Sequence, residues 1–156
     1  MPMKSAGILL YRRPAGYPDG LEVWIAHMGG PFWARKDEHG WSLPKGLCEG
    51  GEDPLAAARR EFAEEMGSPP PAADYVHLGE FRQPSGKVIT AFAAEAEFEP
   101  AEVVSNTFAL EWPKGSGRVQ EYPEVDRAEW VSERTARLKL VKGQIPILDA
   151  LLARLG

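Results

Sequence analysis

Short apolar runs separated by segments rich in Gly and Pro predict a chain of several strands and few helices. In the second run, LEVWIAH, the apolar side chains are nearly continuous, which favours a strand buried on both faces of a sheet. The predicted strands are residues 5–12, 21–27, 75–82, 87–98, 105–112 and, as a short one, 128–131.

Two connections between these strands contain many turn residues. Residues 13–20 (RPAGYPDG) predict a turn between the first two strands. Residues 28–46 contain three Gly and two Pro before Gly46 and predict one long loop. A loop of that length inside a compact domain usually has a function.

Three segments carry the signals of helices. Residues 54–66 follow Asp53, a good N-cap, begin with Pro54 at the first helical position, and end before Gly67. A second helix is expected to open at Ser132, and residues 145–155 form an amphipathic C-terminal helix. Strands, a helix, more strands and terminal helices predict an α/β (α+β) sandwich, with residues 1–156 as a single domain.

Composition and charge narrow the functional classes. The net charge of −5 argues against broad nucleic-acid binding through phosphate contacts, although it permits small phosphorylated ligands. The single Cys48 excludes an internal disulfide framework and a Cys-based zinc site. Apolar runs are shorter than the roughly 18 residues of a membrane span, so we expect no membrane partner and a cytoplasmic location.

Three carboxylates stand within five residues of the helix predicted at residues 54–66. Glu61, Glu64 and Glu65 fall within about 100° of one another on a helical wheel, apart from the apolar stripe. Two such charges about 6 Å apart repel by roughly 3 kcal/mol. The arrangement has two interpretations, a solvated acidic face or a site for a divalent metal bound by hard oxygen ligands.

The wider spacing of this segment resembles the signature of the Nudix hydrolases. That signature is Gly-x5-Glu-x7-Arg-Glu-U-x-Glu-Glu-x-Gly-U, with U a bulky apolar residue. Its seven fixed positions are matched between Gly46 and Gly67, and the chance of this at one start is on the order of 10⁻⁸. Ser68 departs from the final apolar position but affects no polar one.

The resemblance implies a fold and a set of site residues. It implies a Nudix-type α/β/α sandwich with a mixed central sheet and a carboxylate-bearing helix. Glu61, Glu64 and Glu65 take the positions of metal ligands, joined by the backbone carbonyl of Lys45. The positions of Glu52 and Arg60 are those of a pair that orients the loop against the helix.

The resemblance also implies metal-dependent hydrolysis of a phosphoanhydride bond in a nucleoside diphosphate linked to another group. Mg²⁺ is the expected cofactor and Mn²⁺ the alternative, because a metal neutralises phosphate charge and activates water. The segment WSLPKG before the signature favours a nucleoside triphosphate or a dinucleoside polyphosphate. The rival interpretation is a Nudix-fold sensor that binds a nucleotide without hydrolysing it. Members of this family commonly dimerise, which makes a homodimer an expectation too.

Nudix sites often use a further acidic residue from a distant loop. Glu124 stands six residues before Trp130, a spacing similar to that of related sequences, and is the first candidate for metal ligand or general base. Glu121, in the same predicted loop, is the second, and Glu61 is a possible base within the signature. Both loop residues could equally be solvated acids.

Lysines and aromatic residues of the predicted loops are candidates for substrate contacts. Lys45, Lys36 and Lys87 could each reach a substrate phosphate, and otherwise they are solvated charges. The loop aromatics could stack on a base or simply pack against the core; they are Phe32, Trp33 and Trp112.

Overall fold

The computed structural model describes residues 3–14 and 20–156. The turn predicted at residues 13–20 therefore lies largely outside the described residues. The described elements are β1 (Lys4–Arg12), β2 (Glu22–Met28), β3 (Trp41–Ser42), β4 (Lys45–Leu47), α1 (Pro54–Met66), β5 (Val76–Arg82), β6 (Val88–Glu95), β7 (Thr107–Glu111), β8 (Val119–Pro123), β9 (Val125–Ser132), α2 (Glu133–Lys139) and α3 (Ile145–Leu155).

Seven strands of the described chain form one mixed sheet. Its central path runs β3-β2-β1-β6-β5, with β4 added to β1 and β9 to β2. β1 pairs parallel with β6 from Lys4↔Val88 to Tyr11↔Glu95, and antiparallel with β2 and β4. β7 and β8 form a separate antiparallel hairpin. The mixed sheet predicted with the fold class is confirmed.

Helices cover both faces of this sheet, and the alternation of side chains along β1 explains why. Ile8 and Leu10 pack with Phe62 on the α1 face, whereas Leu9 packs with Leu148 on the α3 face. A strand whose alternate side chains are apolar on both faces can be stable only between two layers. The arrangement is the predicted α/β/α sandwich.

Three short strands were not predicted from the sequence. β3 lies inside the predicted loop 28–46, and β4 begins inside it and ends one residue beyond. β8 lies inside the loop that was expected to carry both Glu121 and Glu124. Each of these strands is only two to five residues long. β3 and β4 pair with strands that are distant in sequence, and β8 pairs with β7 in a hairpin that is largely exposed. The strand predicted at 128–131 is longer, Val125–Ser132, because it pairs along β2, and the strand predicted at 87–98 ends at Glu95.

Candidate active site

Helix α1 is fixed at both ends by the residues that predicted it. The Asp53 carboxylate accepts a hydrogen bond from the Ala56 N–H at 3.1 Å, and Pro54 occupies the first turn. Gly67 adopts the left-handed conformation (φ 77°) and donates its N–H to the Ala63 carbonyl at 2.9 Å. The buried face of the helix packs on the sheet and leaves the carboxylates on another face; it consists of Ala57, Ala58, Phe62 and Met66.

Arg60 joins the preceding loop to the carboxylate face of the helix. Its Nε and Nη2 donate to the two carboxylate oxygens of Glu52 at 3.0 and 2.9 Å, and Nη2 also reaches the Leu47 carbonyl at 3.0 Å. Nη1 donates to Glu61 at 2.8 Å and approaches Glu64 at 3.4 Å. The hydrogen bonds from Arg60 lower the pKa of Glu52 to about 2, and those with Glu52 raise the pKa of Arg60. The contact has the geometry expected of a loop-orienting pair.

Strand β4 brings the start of the signature against the same helix face. The backbone N–H of Lys45 donates to Glu65 Oε1 at 3.1 Å. Gly46 lies so close to Glu61 that a Cβ at this position would overlap the carboxylate. The strand is thus positioned by β1, with which it pairs, and holds two of the three helix carboxylates.

Glu124 reaches this site through a series of backbone hydrogen bonds that starts on the helix. The Asn106 N–H donates to the Glu64 carbonyl, and the Glu124 N–H donates to the Asn106 carbonyl, both at 2.9 Å. The Glu124 carbonyl in turn accepts from Gly29 N–H at 2.8 Å. The Ser105 hydroxyl accepts from Val125 N–H at 3.1 Å and braces the same segment. Glu124 therefore lies at the β8–β9 junction at a fixed distance from α1.

The charges of these carboxylates act on one another. Burial raises the pKa of Glu65 to about 8, against the opposing effect of Lys45, with further increases from Glu124 and Glu61. Burial also raises the pKa of Glu61, which Arg60 partly offsets and Glu64 reinforces. Desolvation and then Glu64 raise the pKa of Glu124. Glu124 thus belongs electrostatically to the carboxylates of α1.

Glu121 lies elsewhere. It belongs to β8, pairs with Ala109 of β7 and is exposed. The structure therefore brings Glu124, and not Glu121, together with the helix carboxylates.

The donor set suits a hard divalent cation. In the described part of the chain, no three acidic, His or Cys side chains are already arranged as a metal site. Arg60 donates to Glu61, and the Lys45 N–H donates to Glu65. Four carboxylates nevertheless share one region with two cationic side chains, Arg60 and Lys45. Such an excess of oxygen donors and negative charge fits Mg²⁺ or Mn²⁺.

A cavity of about 520 Å³ opens beside these carboxylates; we call it the first cavity. Lys45, Glu65 and Glu124 line its polar side. The rest of its lining is largely apolar and comes from the loop after β2 and from β7, including Pro31, Phe32, Trp33, Phe108 and Leu110. An apolar cavity with a few converging charged groups is typical of a small-molecule site.

The three candidate lysines occupy different places. Lys45 lines the first cavity, and its charge lowers the pKa of both Glu65 and Glu124. Lys87 lines a neighbouring cavity, described below. The Lys36 ammonium lies 3.8 Å above the ring centroid of Phe32, and Lys36 is not among the described residues lining either cavity. Trp112 is partly exposed near the end of the β7–β8 hairpin, away from both linings.

His27 anchors the loop that forms the apolar wall. It is buried in β2, with Nε2–H donating to the Lys36 carbonyl at 2.8 Å and Nδ1 2.8 Å from Asp126 Oδ1 on β9. Both ring nitrogens have a hydrogen-bond partner, so His27 holds the loop after β2 in position. No pattern in the sequence indicates this role.

Ser105, Asn106 and Phe108 were also missed by the sequence analysis. The first two connect Glu124 to α1, and Phe108 lines the first cavity. The backbone bonds of Asn106 are independent of its side chain and leave no motif. The nearest signal in the sequence is that Ser105 and Asn106 are both residue types common in turns.

Comparison with known proteins places this fold and site in a family. The NUDIX domain model matches residues 1–151, so the chain belongs to the Nudix family. The protein is accordingly a Nudix pyrophosphohydrolase, and enzymes of this family generally use divalent metal ions.

Solved structures share the fold at low sequence identity. A C. elegans Ap4A hydrolase in a binary complex is 21% identical with a TM-score of 0.67, covering 97% of each chain. The NUDIX domain of Shewanella oneidensis NrtR, complexed with ADP ribose, is 16% identical (TM-score 0.63, 100% of this chain and 90% of that one). The Nudix hydrolase RenU from M. smegmatis is 24% identical (TM-score 0.61, 99% and 88%).

A search of curated proteins found no match. Among residues 3–14 and 20–156, no helix is long and apolar enough to cross a membrane.

Proposed function

We propose that the protein, acting as a single domain over residues 1–156, hydrolyses a phosphoanhydride bond of a nucleoside triphosphate or a dinucleoside polyphosphate with Mg²⁺. The observation that carries the proposal is the meeting of the α1 carboxylates with Glu124 and Lys45 at one end of an apolar cavity. The apolar part of that cavity suits a nucleoside, and its charged end suits phosphates.

Glu61, Glu64 and Glu65 are the proposed metal ligands, and the Lys45 carbonyl completes the set. When bound, the metal supplies charge neutralisation at the phosphate oxygens and lowers the pKa of a bound water. Lys45 contributes a further positive charge toward a phosphate. Arg60 and Glu52 keep the loop against the helix and so hold the ligand set in position.

Glu124 is the proposed general base. Desolvation raises the pKa of its carboxyl, which makes it a better proton acceptor than an ordinary surface glutamate. Its fixed main chain, bonded to Asn106 and Gly29, supports a constant position relative to α1. Glu61 is the second candidate, and the exposed Glu121 falls behind both.

The proposal is tested with a panel of nucleotides in the presence of Mg²⁺, with identification of the products. The panel contains triphosphates, oxidised triphosphates, diadenosine polyphosphates and nucleotide sugars. Glu64→Gln should reduce kcat/KM by about 100-fold or more while the fold is retained, because it removes a charged ligand. Glu80→Gln, an exposed glutamate of β5, is the matched control and should retain activity.

Two outcomes would contradict the proposal. Turnover that is equal in Glu64→Gln and wild type would remove α1 from the metal site. Binding of nucleotides without hydrolysis of any would favour the interpretation of the protein as a nucleotide sensor.

A further inference from the structure

A second cavity of about 460 Å³ adjoins the first. The two share Met28, Trp33 and Lys45 in their linings, so they lie on either side of a common ridge. The far wall of the second cavity comes from the β5–β6 turn and from a short 3-10 turn at Lys142–Gln144. The site for a ligand is therefore longer than the first cavity alone.

The second cavity has the opposite charge to the carboxylate end of the first. Lys45, Lys87 and Lys142 line it, and no Asp or Glu is among the described residues of its lining. None of these lysines has a carboxylate oxygen within 4.0 Å of its ammonium in the described parts of the chain. Lys45 also lines the first cavity together with Glu65 and Glu124, whereas Lys87 and Lys142 belong to the second cavity alone. Two such cations beside the active site of a protein with a net charge of −5 favour an anionic ligand there.

The walls that carry these lysines are rigid. Gln83 Nε2 donates to the Gly143 carbonyl at 3.0 Å, and the Gln83 N–H donates to the Lys87 carbonyl at 2.7 Å. The buried Gln144 accepts from Leu43 N–H at 3.0 Å and donates to the Ser42 hydroxyl at 2.8 Å. Gly143 packs so closely on Gln83 that a Cβ would overlap its side chain. The cavity is therefore formed before a ligand arrives.

We propose that the second cavity binds the phosphates that lie beyond the cleaved bond of a long substrate. The nucleoside occupies the first cavity, the phosphate chain crosses the ridge at Lys45, and its distal part is bound by Lys87 and Lys142. The inference rests on the proposed function and makes it more specific: the substrate class is a nucleotide with a chain of about four phosphates, with or without a second nucleoside. A nucleoside diphosphate ends before the second cavity.

The test is a binding measurement, which needs no turnover. Calorimetry with Mg²⁺ gives Kd for methylene-bridged diadenosine tetraphosphate, for methylene-bridged adenosine tetraphosphate and for α,β-methylene ADP. The Lys87→Gln/Lys142→Gln double variant should weaken both tetraphosphates on the order of tenfold, and much more than it weakens the diphosphate. Lys114→Gln/Arg118→Gln, on the β7–β8 hairpin outside both linings, makes the same change in net charge and should leave the ratio of affinities as in the wild type.

Three results would overturn the inference. The first is an equal loss of affinity for the long and the short ligands, and the second is the same selective loss of affinity in the control variant. The third is a loss of affinity confined to the dinucleotide, which would assign the lysines to something other than phosphates. The proposed function is judged separately by hydrolysis. If the wild type cleaves diadenosine tetraphosphate and the affinity ratio is unchanged in the double variant, only the inference fails. If nothing is cleaved and the double variant selectively loses affinity for the tetraphosphates, the hydrolysis proposal fails, and the assignment of Lys87 and Lys142 to the distal phosphates stands.

Discussion

Gly46 lies against the Glu61 carboxylate, with no room for a Cβ between them. Gly46→Ala should therefore displace Glu61 and lower activity by about 100-fold, with a matching rise in the Mg²⁺ concentration needed. The free energy of unfolding should fall by less than roughly 1.5 kcal/mol, because the atoms that must move are the end of a flexible side chain. Activity and denaturant unfolding are the two measurements.

Gly50, in the loop between β4 and α1, provides the control. A Cβ there would meet nothing within 4 Å. Gly50→Ala should leave both activity and stability near wild type, and an equal loss in the two variants would mean that the contact of Gly46 with Glu61 is not the cause.

Glu65 predicts how the stability of the metal-free protein depends on pH. Burial raises the pKa of Glu65 to about 8, against about 4.3 in an unfolded chain. The folded state therefore binds the proton more tightly, and its contribution to stability is present below about pH 4.3 and is lost as the pH rises to about 8. With a chelator present, Tm should fall between pH 5 and pH 8 more steeply in the wild type than in Glu65→Gln.

Mg²⁺ should reverse this trend, since the metal competes with the proton for the same carboxylate. The increase in Tm on adding Mg²⁺ should become larger from pH 6 to pH 8. In the chelator experiment, a fall of Tm with pH that is as steep or steeper in Glu65→Gln than in the wild type would contradict the burial assigned to Glu65.

At the scale of the elements, the segment before β7 controls where Glu124 lies. The Ser105 hydroxyl accepts the N–H of the buried Val125, the residue after Glu124. Ser105→Ala leaves that N–H without its partner, so we expect a loss of about 1–2 kcal/mol in the free energy of unfolding. Because Glu124 is the adjacent residue, kcat should fall more than KM rises, which steady-state kinetics would show.

Ser116→Ala serves as the comparison, since the Ser116 hydroxyl accepts an exposed turn N–H, that of Arg118, at 3.2 Å and lies outside both cavity linings. If both variants behave alike, Ser105 does not position Glu124.

How well each element could be predicted depended on where its stabilising contacts come from. The limits of α1 followed from Asp53, Pro54 and Gly67, because caps are local signals. β3 and β4 consist of two and three residues, and they exist only through pairing with β2 and β1. A period of two cannot be read from so few positions.

The candidate site shows the same division. The carboxylates of α1 and the Glu52–Arg60 pair were predicted because they lie within one contiguous motif, and the structure brings that pair together. The contact of Glu124 with α1 depends on hydrogen bonds of the Asn106 main chain. The identity of the side chain at position 106 does not reveal these bonds. The second cavity joins residues near 85 and 142, and nothing in the local sequence of either turn indicates the other.

At the scale of the whole molecule, the sheet separates the carboxylate face from a face that serves stability. Leu148 is fully buried between α3 and the sheet, on the side away from α1. Leu148→Ala should cost about 2–5 kcal/mol of the free energy of unfolding, with Mg²⁺ affinity at 25 °C unchanged. Leu138→Ala is the control, since Leu138 is 54% exposed and should cost less than about 0.5 kcal/mol. Altered metal affinity in Leu148→Ala would show that the two faces are coupled.

The parallel pairing of β1 with β6 has a consequence for the order of synthesis. Lys4 meets Val88 and Tyr11 meets Glu95, so β1 has to wait until the whole of β6 has left the ribosome before its parallel partner exists. β2 waits longer, because its long partner β9 ends at Ser132. Contacts between such distant segments form slowly, since the loop must close before they stabilise anything. A ribosome stalled before residue 95 would therefore carry α1 and its carboxylates with an incomplete sheet behind them, and the active site would be among the last parts of the nascent chain to take shape.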